Sequence, residues 1–146
     1  MIHVLIVEDD PMARQLLEIY VEKSGNGLQI FARYLLDEGY VTGNFCKVFS
    51  RQIDLVLMDV CTAMNASGLE AAEKIKREFP YIKVIIITSQ PEYSYISHAR
   101  KIGVESFWYK EPTAEALLKI MDRTMAGESI YPDSVPVTRL GAALTV

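Results

Sequence analysis

The sequence is poor in the residues that build disulfide frameworks and zinc sites. Cys46 and Cys61 are the only cysteines, and His3 and His98 are the only histidines. The cysteines form no CxxC pair, and none of the four residues has a spacing typical of a zinc site. This pattern favours a reduced compartment over a disulfide-stabilised secreted protein.

Long runs of one residue class are also missing. No stretch of five Lys or Arg residues occurs and the net charge is −4, so we expect no nucleic-acid or anionic-membrane footprint on this segment. No apolar stretch approaches the roughly 20 residues that span a bilayer, and acids follow the short apolar N-terminus. We therefore expect a soluble cytoplasmic protein without a membrane partner. Its 146 residues fit a single domain.

The sequence contains instead short apolar runs that alternate with amphipathic segments. The apolar runs predict strands at residues 2–7, 28–34, 54–59, 83–88 and 106–110. The amphipathic segments predict helices at residues 11–24, 67–80, 92–103 and 113–127. In the segment 35–52, Gly39 and Gly43 argue against a helix before about residue 43. Five βα units in this order predict a doubly wound α/β domain with a parallel sheet.

Polar residues follow four of the predicted strands at their carboxyl ends. They are Glu8, Asp9 and Asp10 after the first strand, Asp59 in the third, Thr88 and Ser89 in the fourth, and Lys110 in the fifth. The carboxyl ends of parallel strands share one edge of a sheet, so we expect these groups to meet in one crevice.

Carboxylates that meet in a crevice repel each other. A pair about 4 Å apart costs on the order of 4 kcal/mol at an effective dielectric near 20. A hard cation such as Mg²⁺ offsets this repulsion, and Lys110 adds a second positive charge. The pattern suits a phosphate-like group, with Asp59 as the best-placed covalent acceptor.

Each of these residues also has an ordinary structural explanation. Asp10 before Pro11 is typical of a helix N-cap, Lys110 alone would be a surface lysine, and Thr88 would serve in a turn. Their combination at the ends of three strands together with Lys110 favours the phosphoryl site.

Four motifs carry a family resemblance. They are "VEDD" after the first strand, "LVLMD" with the helix "GLEAAEKIK", "IIITS" at the fourth strand and "FWYK" at the fifth. In this order and spacing, the chain resembles the receiver domains of bacterial two-component response regulators over about residues 2–127. The resemblance implies a flavodoxin-like, CheY-like (βα)5 fold with strand order 2-1-3-4-5. It implies a phosphorylated switch and not mainly an enzyme.

The resemblance also implies roles for individual residues. The Mg²⁺ ligands would be Asp9, Asp59 and the main-chain carbonyl of Cys61, with Glu8 acting through a bound water. Asp59 matches the phosphoacceptor, Thr88 the switch hydroxyl, Lys110 the lysine that pairs with a phosphoryl oxygen, and Phe107 the switch aromatic. Asp10 lies one place further on and is better explained as the helix cap.

A mechanism follows by analogy with the family. A sensor histidine kinase would supply the phosphoryl group, and Mg²⁺ and Lys110 would stabilise its charge during transfer to Asp59. Thr88 would then move toward the phosphoryl group and Phe107 would rotate inward. The face formed by the helix at 92–103, the strand at 106–110 and the helix at 113–127 would change, and a homodimer could form through it.

The sequence departs from the family pattern at two loops. Thr62 and Ala63 occupy the positions where the family usually has Met-Pro, and Gly68 follows Asp59 by nine positions where the family usually has eight. In the second loop, the usual Lys-Pro with a cis bond is replaced by Lys110-Glu111-Pro112. No phosphorylation residue is lost at either loop.

The remaining residues suggest a boundary near Gly127. We expect a receiver domain at 1–127 and a linker or C-terminal extension at 128–146, where "AGESIYP" resembles the junction to the output domain in NarL/LuxR-type regulators. An output domain absent from this chain would contact DNA and regulate transcription.

Three alternatives stay open. A stand-alone single-domain regulator would act by binding a partner protein. An aspartyl-phosphate hydrolase of the haloacid dehalogenase type would usually have a second Asp where Cys61 stands, and it would need a longer chain. A flavodoxin-like nucleotide or flavin binder would want a Gly- or Ser/Thr-rich loop where "EDDPMA" presents carboxylates.

Overall fold

The computed structural model describes residues 2–8, 10–23, 28–34, 52–60, 68–90, 92–110 and 114–132. The strands are β1 (Ile2–Val7), β2 (Leu28–Tyr34), β3 (Leu55–Asp59), β4 (Lys83–Thr88) and β5 (Ser106–Tyr109). The helices in the described ranges are α1 (Pro11–Lys23), α2 (Gly68–Glu78), α3 (Tyr93–Ile102) and α4 (Ala114–Met125). These elements confirm the strand and helix positions that apolar periodicity predicted. Segment 35–51, where the glycines argued against a helix, lies outside the described residues.

The strands form one sheet in the order β2-β1-β3-β4-β5, and each neighbouring pair is parallel. The predicted α/β class with a parallel sheet is confirmed. The register aligns the carboxyl ends of the central strands, because Val7 is the partner of Met58 and Asp59 is the partner of Ile87. Side chains that follow these strands therefore come to the same edge of the sheet.

Both faces of the sheet are covered by helices, as the apolar strands require. One apolar cluster joins the sheet to α2 and α3, through residues such as Ile75 and Ile96. The other joins it to α1 and α4, through residues such as Leu17 and Leu117. The strands consequently have few polar side chains along their length, and their polar groups collect at the ends.

The helix ends use local chemistry that the sequence predicted in part. The N–H of Ala13 donates to Asp10 Oδ2 at 3.0 Å, which confirms Asp10 as the cap of α1. α3 ends at Gly103, whose φ of 90° lies in the left-handed region, and the N–H of Gly103 donates to the carbonyl of Ala99. Within the described ranges, no helix has both the length and the apolarity needed to cross a membrane.

The chain continues past α4 along the edge of the sheet. Residues Glu128–Pro132, which we call the strap, lie beside β5. The N–H of Phe107 donates to the carbonyl of Ile130 at 2.8 Å, and the N–H of Ile130 donates to Ser106 Oγ at 3.1 Å. Ser106 Oγ in turn lies 2.6 Å from Thr124 Oγ1 of α4 in a buried hydrogen bond. These contacts connect the strap to both β5 and α4.

Candidate functional site

Four polar side chains gather at the carboxyl edge of the sheet. They are Glu8 after β1, Asp59 at the end of β3, Thr88 at the end of β4 and Lys110 after β5. Lys110 Nζ forms an ion pair with Glu8 Oε1, although the two residues are 102 positions apart in the chain. The same ammonium group lies 3.8 Å from Asp59 Oδ2. The structure thus brings Glu8, Asp59 and Lys110 together from separate strand ends.

Both acids are removed from solvent. Glu8 is 1 % exposed and Asp59 is 5 % exposed, whereas the Lys110 side chain is 24 % exposed. Glu8 Oε2 is buried and has no hydrogen-bond partner among the described residues. A buried carboxylate oxygen without a partner is costly, so a positive charge or a hydrogen-bond donor would be stabilised there. Among the described residues, one buried oxygen of Glu8 therefore still lacks a donor or a cation.

Main-chain contacts hold the two acids in place. Arg14 Nη1 donates to the carbonyl of Glu8 at 3.2 Å, so the first helix fixes the end of β1. After β3, the N–H of Val60 donates to the carbonyl of Ile87 in β4 at 3.1 Å and fixes the residue that follows Asp59. The backbone that presents Glu8 and Asp59 is thus tied to neighbouring elements.

Gly68, at the start of α2, packs directly on the backbone of Asp59. A Cβ built at position 68 would overlap the carbonyl oxygen of Asp59 and would lie 3.2 Å from Cγ of Met58. The N–H of Gly68 also donates to the carbonyl of Val60 at 3.0 Å. The sequence shows only the spacing of this glycine from Asp59. The structure gives it a role, because no larger residue fits this close approach.

Thr88 links β4 to the lysine. Its side chain is fully buried, and its Oγ1 accepts a hydrogen bond from the N–H of Gln90 at 3.0 Å. Its carbonyl accepts a hydrogen bond from the N–H of Lys110 at 2.8 Å. The backbone of Lys110 is therefore set by the strand that carries the hydroxyl.

Phe107 lies deeper in β5, on the face covered by α2 and α3. It is 1 % exposed, with its ring centroid 5.2 Å from Tyr109 in an edge-on contact and 6.4 Å from Tyr131 of the strap. Its inward rotation stays a prediction, and the ring is already buried in this conformation.

Tyr109, not Phe107, is the strand partner of Thr88. Burial raises the pKa of the Tyr109 phenol, and the negative charge of Glu92 adds to this effect.

Several predicted site positions lie outside the described residues. They are Asp9, Cys61 and the Glu111-Pro112 pair. Across the described ranges, no three His, Cys, Asp or Glu side chains group closely enough to hold a metal ion. Glu8 and Asp59 are the described acids that lie near Lys110. The Mg²⁺ site stays a prediction.

Comparison with known proteins identifies relatives of this chain. The family model for the response regulator receiver domain matches residues 4–122. The response regulator protein VraR of Staphylococcus epidermidis is 29 % identical over 136 residues, which are 93 % of this chain and 62 % of VraR. VraR of Staphylococcus aureus is 28 % identical over the same length. The chain thus spans about three fifths of the length of these curated relatives.

Solved structures share the fold. The isolated REC domain of RcsB from Salmonella enterica serovar Typhimurium, in the presence of the phosphomimetic BeF3-, matches with a TM-score of 0.75 at 19 % identity, over 92 % of this chain and 95 % of that one. A LuxR-family DNA-binding response regulator from Staphylococcus aureus matches with a TM-score of 0.75 at 24 % identity, over 86 % of this chain and 99 % of that one. The family match confirms the resemblance found in the motifs: this chain belongs to the response regulator receiver domains.

Proposed function

We propose that this receiver domain accepts a phosphoryl group on Asp59 from a sensor histidine kinase. The observation that carries the proposal is the buried carboxylate of Asp59 with Lys110 Nζ 3.8 Å from its Oδ2. A carboxylate in this setting is a nucleophile with a cation beside it. An ammonium group at this distance can stabilise the charge on a group transferred to the carboxylate.

The transfer is a substitution at phosphorus. A carboxylate oxygen of Asp59 forms a new P–O bond while the P–N bond of the kinase phosphohistidine breaks, and the histidine leaves with the electron pair of that bond. The ammonium group of Lys110 contacts an oxygen of the incoming phosphoryl group. To do so, it must share or give up its contact with Glu8. The Thr88 hydroxyl, which now accepts from Gln90, is free to donate to a phosphoryl oxygen. The domain assists its own phosphorylation and dephosphorylation and is otherwise a switch.

The residues present fit a hard divalent cation. Glu8 Oε2 is buried without a partner among the described residues, and the donors at this edge are oxygens, which Mg²⁺ prefers. Asp9, Asp59 and the main-chain carbonyl of Cys61 would hold Mg²⁺, with Glu8 acting through a water. When bound, Mg²⁺ supplies Lewis-acid stabilisation of the phosphoryl oxygens.

The output of the switch is a surface. Movement of Thr88 toward the phosphoryl group and of Phe107 behind it would change the face formed by α3, β5 and α4. This face is the proposed site of homodimerisation.

We also propose that the chain divides into a receiver domain at 1–127 and a linker or C-terminal extension at 128–146. The proposed setting of the protein is the cytoplasm.

The partners of the whole protein are proposed from its relatives. VraR is a response regulator, and the Staphylococcus aureus structure is a LuxR-family DNA-binding response regulator. The chain spans 62 % of the length of VraR, which leaves room in such relatives for a further domain. We propose that this receiver controls a DNA-binding output domain and that DNA is contacted only through that domain.

The test is uptake of a phosphoryl mimic. The chain is mixed with Mg²⁺ and beryllofluoride, and bound fluoride is measured by fluorine NMR for the wild type, Asp59→Asn and Asp122→Asn. Asp122 is an exposed aspartate on α4 and serves as the matched control. We expect uptake by the wild type and by Asp122→Asn and none by Asp59→Asn. Equal uptake by all three would remove Asp59 from its role.

A further inference from the structure

We propose that the end of α3 and the outer edge of β5 form a docking surface for the chain's own strap, Glu128–Pro132, and that phosphorylation of Asp59 releases it. The surface and its occupant are both described in the structure. The docking itself does not depend on the proposed function, whereas its release by phosphorylation rests on it.

The strap completes the edge of the sheet. β5 is the last strand in the order, so its outer backbone groups have no neighbouring strand among the described residues. The N–H of Phe107 donates to the carbonyl of Ile130 at 2.8 Å, and the N–H of Ile130 donates to Ser106 Oγ at 3.1 Å. The carbonyl of Ile130 therefore bonds the main chain of β5, as a peptide does when it adds to a sheet edge, while its N–H bonds the side chain of Ser106.

Tyr131 anchors the strap beside this edge. Its hydroxyl donates to the carbonyl of Val104 at 2.6 Å, and the guanidinium carbon of Arg100 lies 4.2 Å from its ring centroid. Burial raises the pKa of the Tyr131 phenol to about 12. The positive charge of Arg100 opposes this rise, and the negative charge of Glu105 adds to it. The side chain is thus held by a hydrogen bond, a cation–π contact and packing on Phe107.

Among the described residues, the docked strap leaves part of the surface unfilled. An open cavity of about 440 Å³ remains between it and the end of α3, lined by Arg100, Gly103, Val104, Ser129 and Tyr131. Tyr131 is only half-buried, and the strap adds few other apolar contacts. Segments held by few buried contacts open at low free-energy cost. Docking of the strap is therefore reversible without unfolding of the domain.

A path of contacts joins the strap to the strand ends. Asp59 is the strand partner of Ile87, Thr88 is the strand partner of Tyr109, and Tyr109 packs edge-on against Phe107. The Phe107 ring then packs 6.4 Å from the ring of Tyr131. If Thr88 moves toward a phosphoryl group on Asp59, space opens beside its strand partner Tyr109, against which the Phe107 ring packs. Rotation of the ring into this space takes away the surface on which Tyr131 packs, and the strap is weakened.

The amide of Phe107 reports the docked state directly, because its hydrogen-bond acceptor belongs to the strap. Residue-resolved hydrogen exchange is measured by NMR on the full chain as wild type, Tyr131→Ala, Tyr131→Phe and Tyr81→Ala. Tyr81 is 59 % exposed and is the matched control. We expect exchange at Phe107 to rise about tenfold or more in Tyr131→Ala and about fivefold in Tyr131→Phe, which loses one hydrogen bond.

Tyr81→Ala should match the wild type at Phe107, and the amides of β4 should stay protected in every variant, which shows that the domain is folded. Exchange at Phe107 that is unchanged in Tyr131→Ala, with β4 still protected, would overturn the docking.

The coupling is tested by adding Mg²⁺ and beryllofluoride to the wild type while fluorine NMR records loading. With a loaded site, exchange at Phe107 should rise about tenfold, toward its rate in Tyr131→Ala. A loaded site with unchanged or slower exchange would overturn the release and leave the proposed function intact. No loading of the wild type would overturn the proposed function and the release with it, while the Tyr131 variants would still decide the docking.

Discussion

Replacement of Lys110 by Met tests the charge balance of the strand-end site. Met keeps much of the length of the side chain and removes its charge, so Glu8 is left at 1 % exposure without its ion-pair partner. Loss of one partner of a buried ion pair costs about 3–5 kcal/mol of unfolding free energy. The Lys110 side chain is 24 % exposed, so we expect a loss of about 3 kcal/mol, at the lower end of that range.

The measurement is a double-mutant cycle by urea unfolding at neutral pH. It compares the wild type, Lys110→Met, Glu8→Gln and the double variant, with Lys101→Met on the exposed side of α3 as the matched control. Because Glu8→Gln removes the buried negative charge, the double variant should be more stable than Lys110→Met, with a coupling of about 2 kcal/mol between the two sites. Lys101→Met should change stability by less than about 0.5 kcal/mol.

Mg²⁺ provides a second comparison in the same experiment. It should restore more stability to Lys110→Met than to the wild type, because the variant has lost the competing cation. Additive effects of the Glu8 and Lys110 substitutions would refute the reasoning, since they would mean that Glu8 does not depend on the lysine for its burial.

Three further predictions follow from the described contacts. Gly68→Ala should cost about 1–3 kcal/mol and abolish beryllofluoride uptake, because its Cβ overlaps the carbonyl oxygen of Asp59. Gly103→Ala, which is strained only by its φ of 90°, should cost about 1 kcal/mol and keep uptake, and equal uptake by the two variants would contradict this. Asp10→Ala should cost about 1 kcal/mol of stability through the lost helix cap and leave the Mg²⁺ affinity measured by calorimetry unchanged. Asp9→Ala should weaken the Mg²⁺ affinity. A larger loss of affinity in Asp10→Ala would mean that the metal ligand was assigned to the wrong residue. Tyr131 should titrate near pH 12 when its phenol is followed by absorbance. Because the pKa of this phenol is raised in the folded state from 10.0, its contribution to stability should be complete below about pH 10 and lost as the pH rises through about 12. Titration at the ordinary value would mean that the phenol is not buried.

Most of the fold could be predicted from local patterns. The apolar run at 83–88 could only be a buried strand, and Asp10 before Pro11 could be recognised as a cap from two adjacent residues. The meeting of Glu8 and Lys110 at one edge also followed, because parallel strands with helical crossovers place all their carboxyl ends together.

The choice of partners within the site could not be predicted. The resemblance assigned Glu8 to a metal-bound water and Lys110 to a phosphoryl oxygen, and both assignments stay predictions. The ion pair that joins these two residues in the structure was not predicted. Ion pairs between residues far apart in the chain depend on distances of a few ångströms, which periodicity does not contain. Gly68 was noticed only for its spacing, because its contact with the backbone of Asp59 is set by the approach of α2 and has no local signature.

The pairing of Ile130 with β5 has a practical consequence for how this protein is divided into pieces. A chain shortened to Gly127 would lose the carbonyl that receives the Phe107 N–H and would leave a strand flank free to join the same flank of another molecule. Oligomers that such a fragment forms without phosphorylation would then reflect the loss of the strap. Fragments meant to measure self-association should retain the sequence through Pro132.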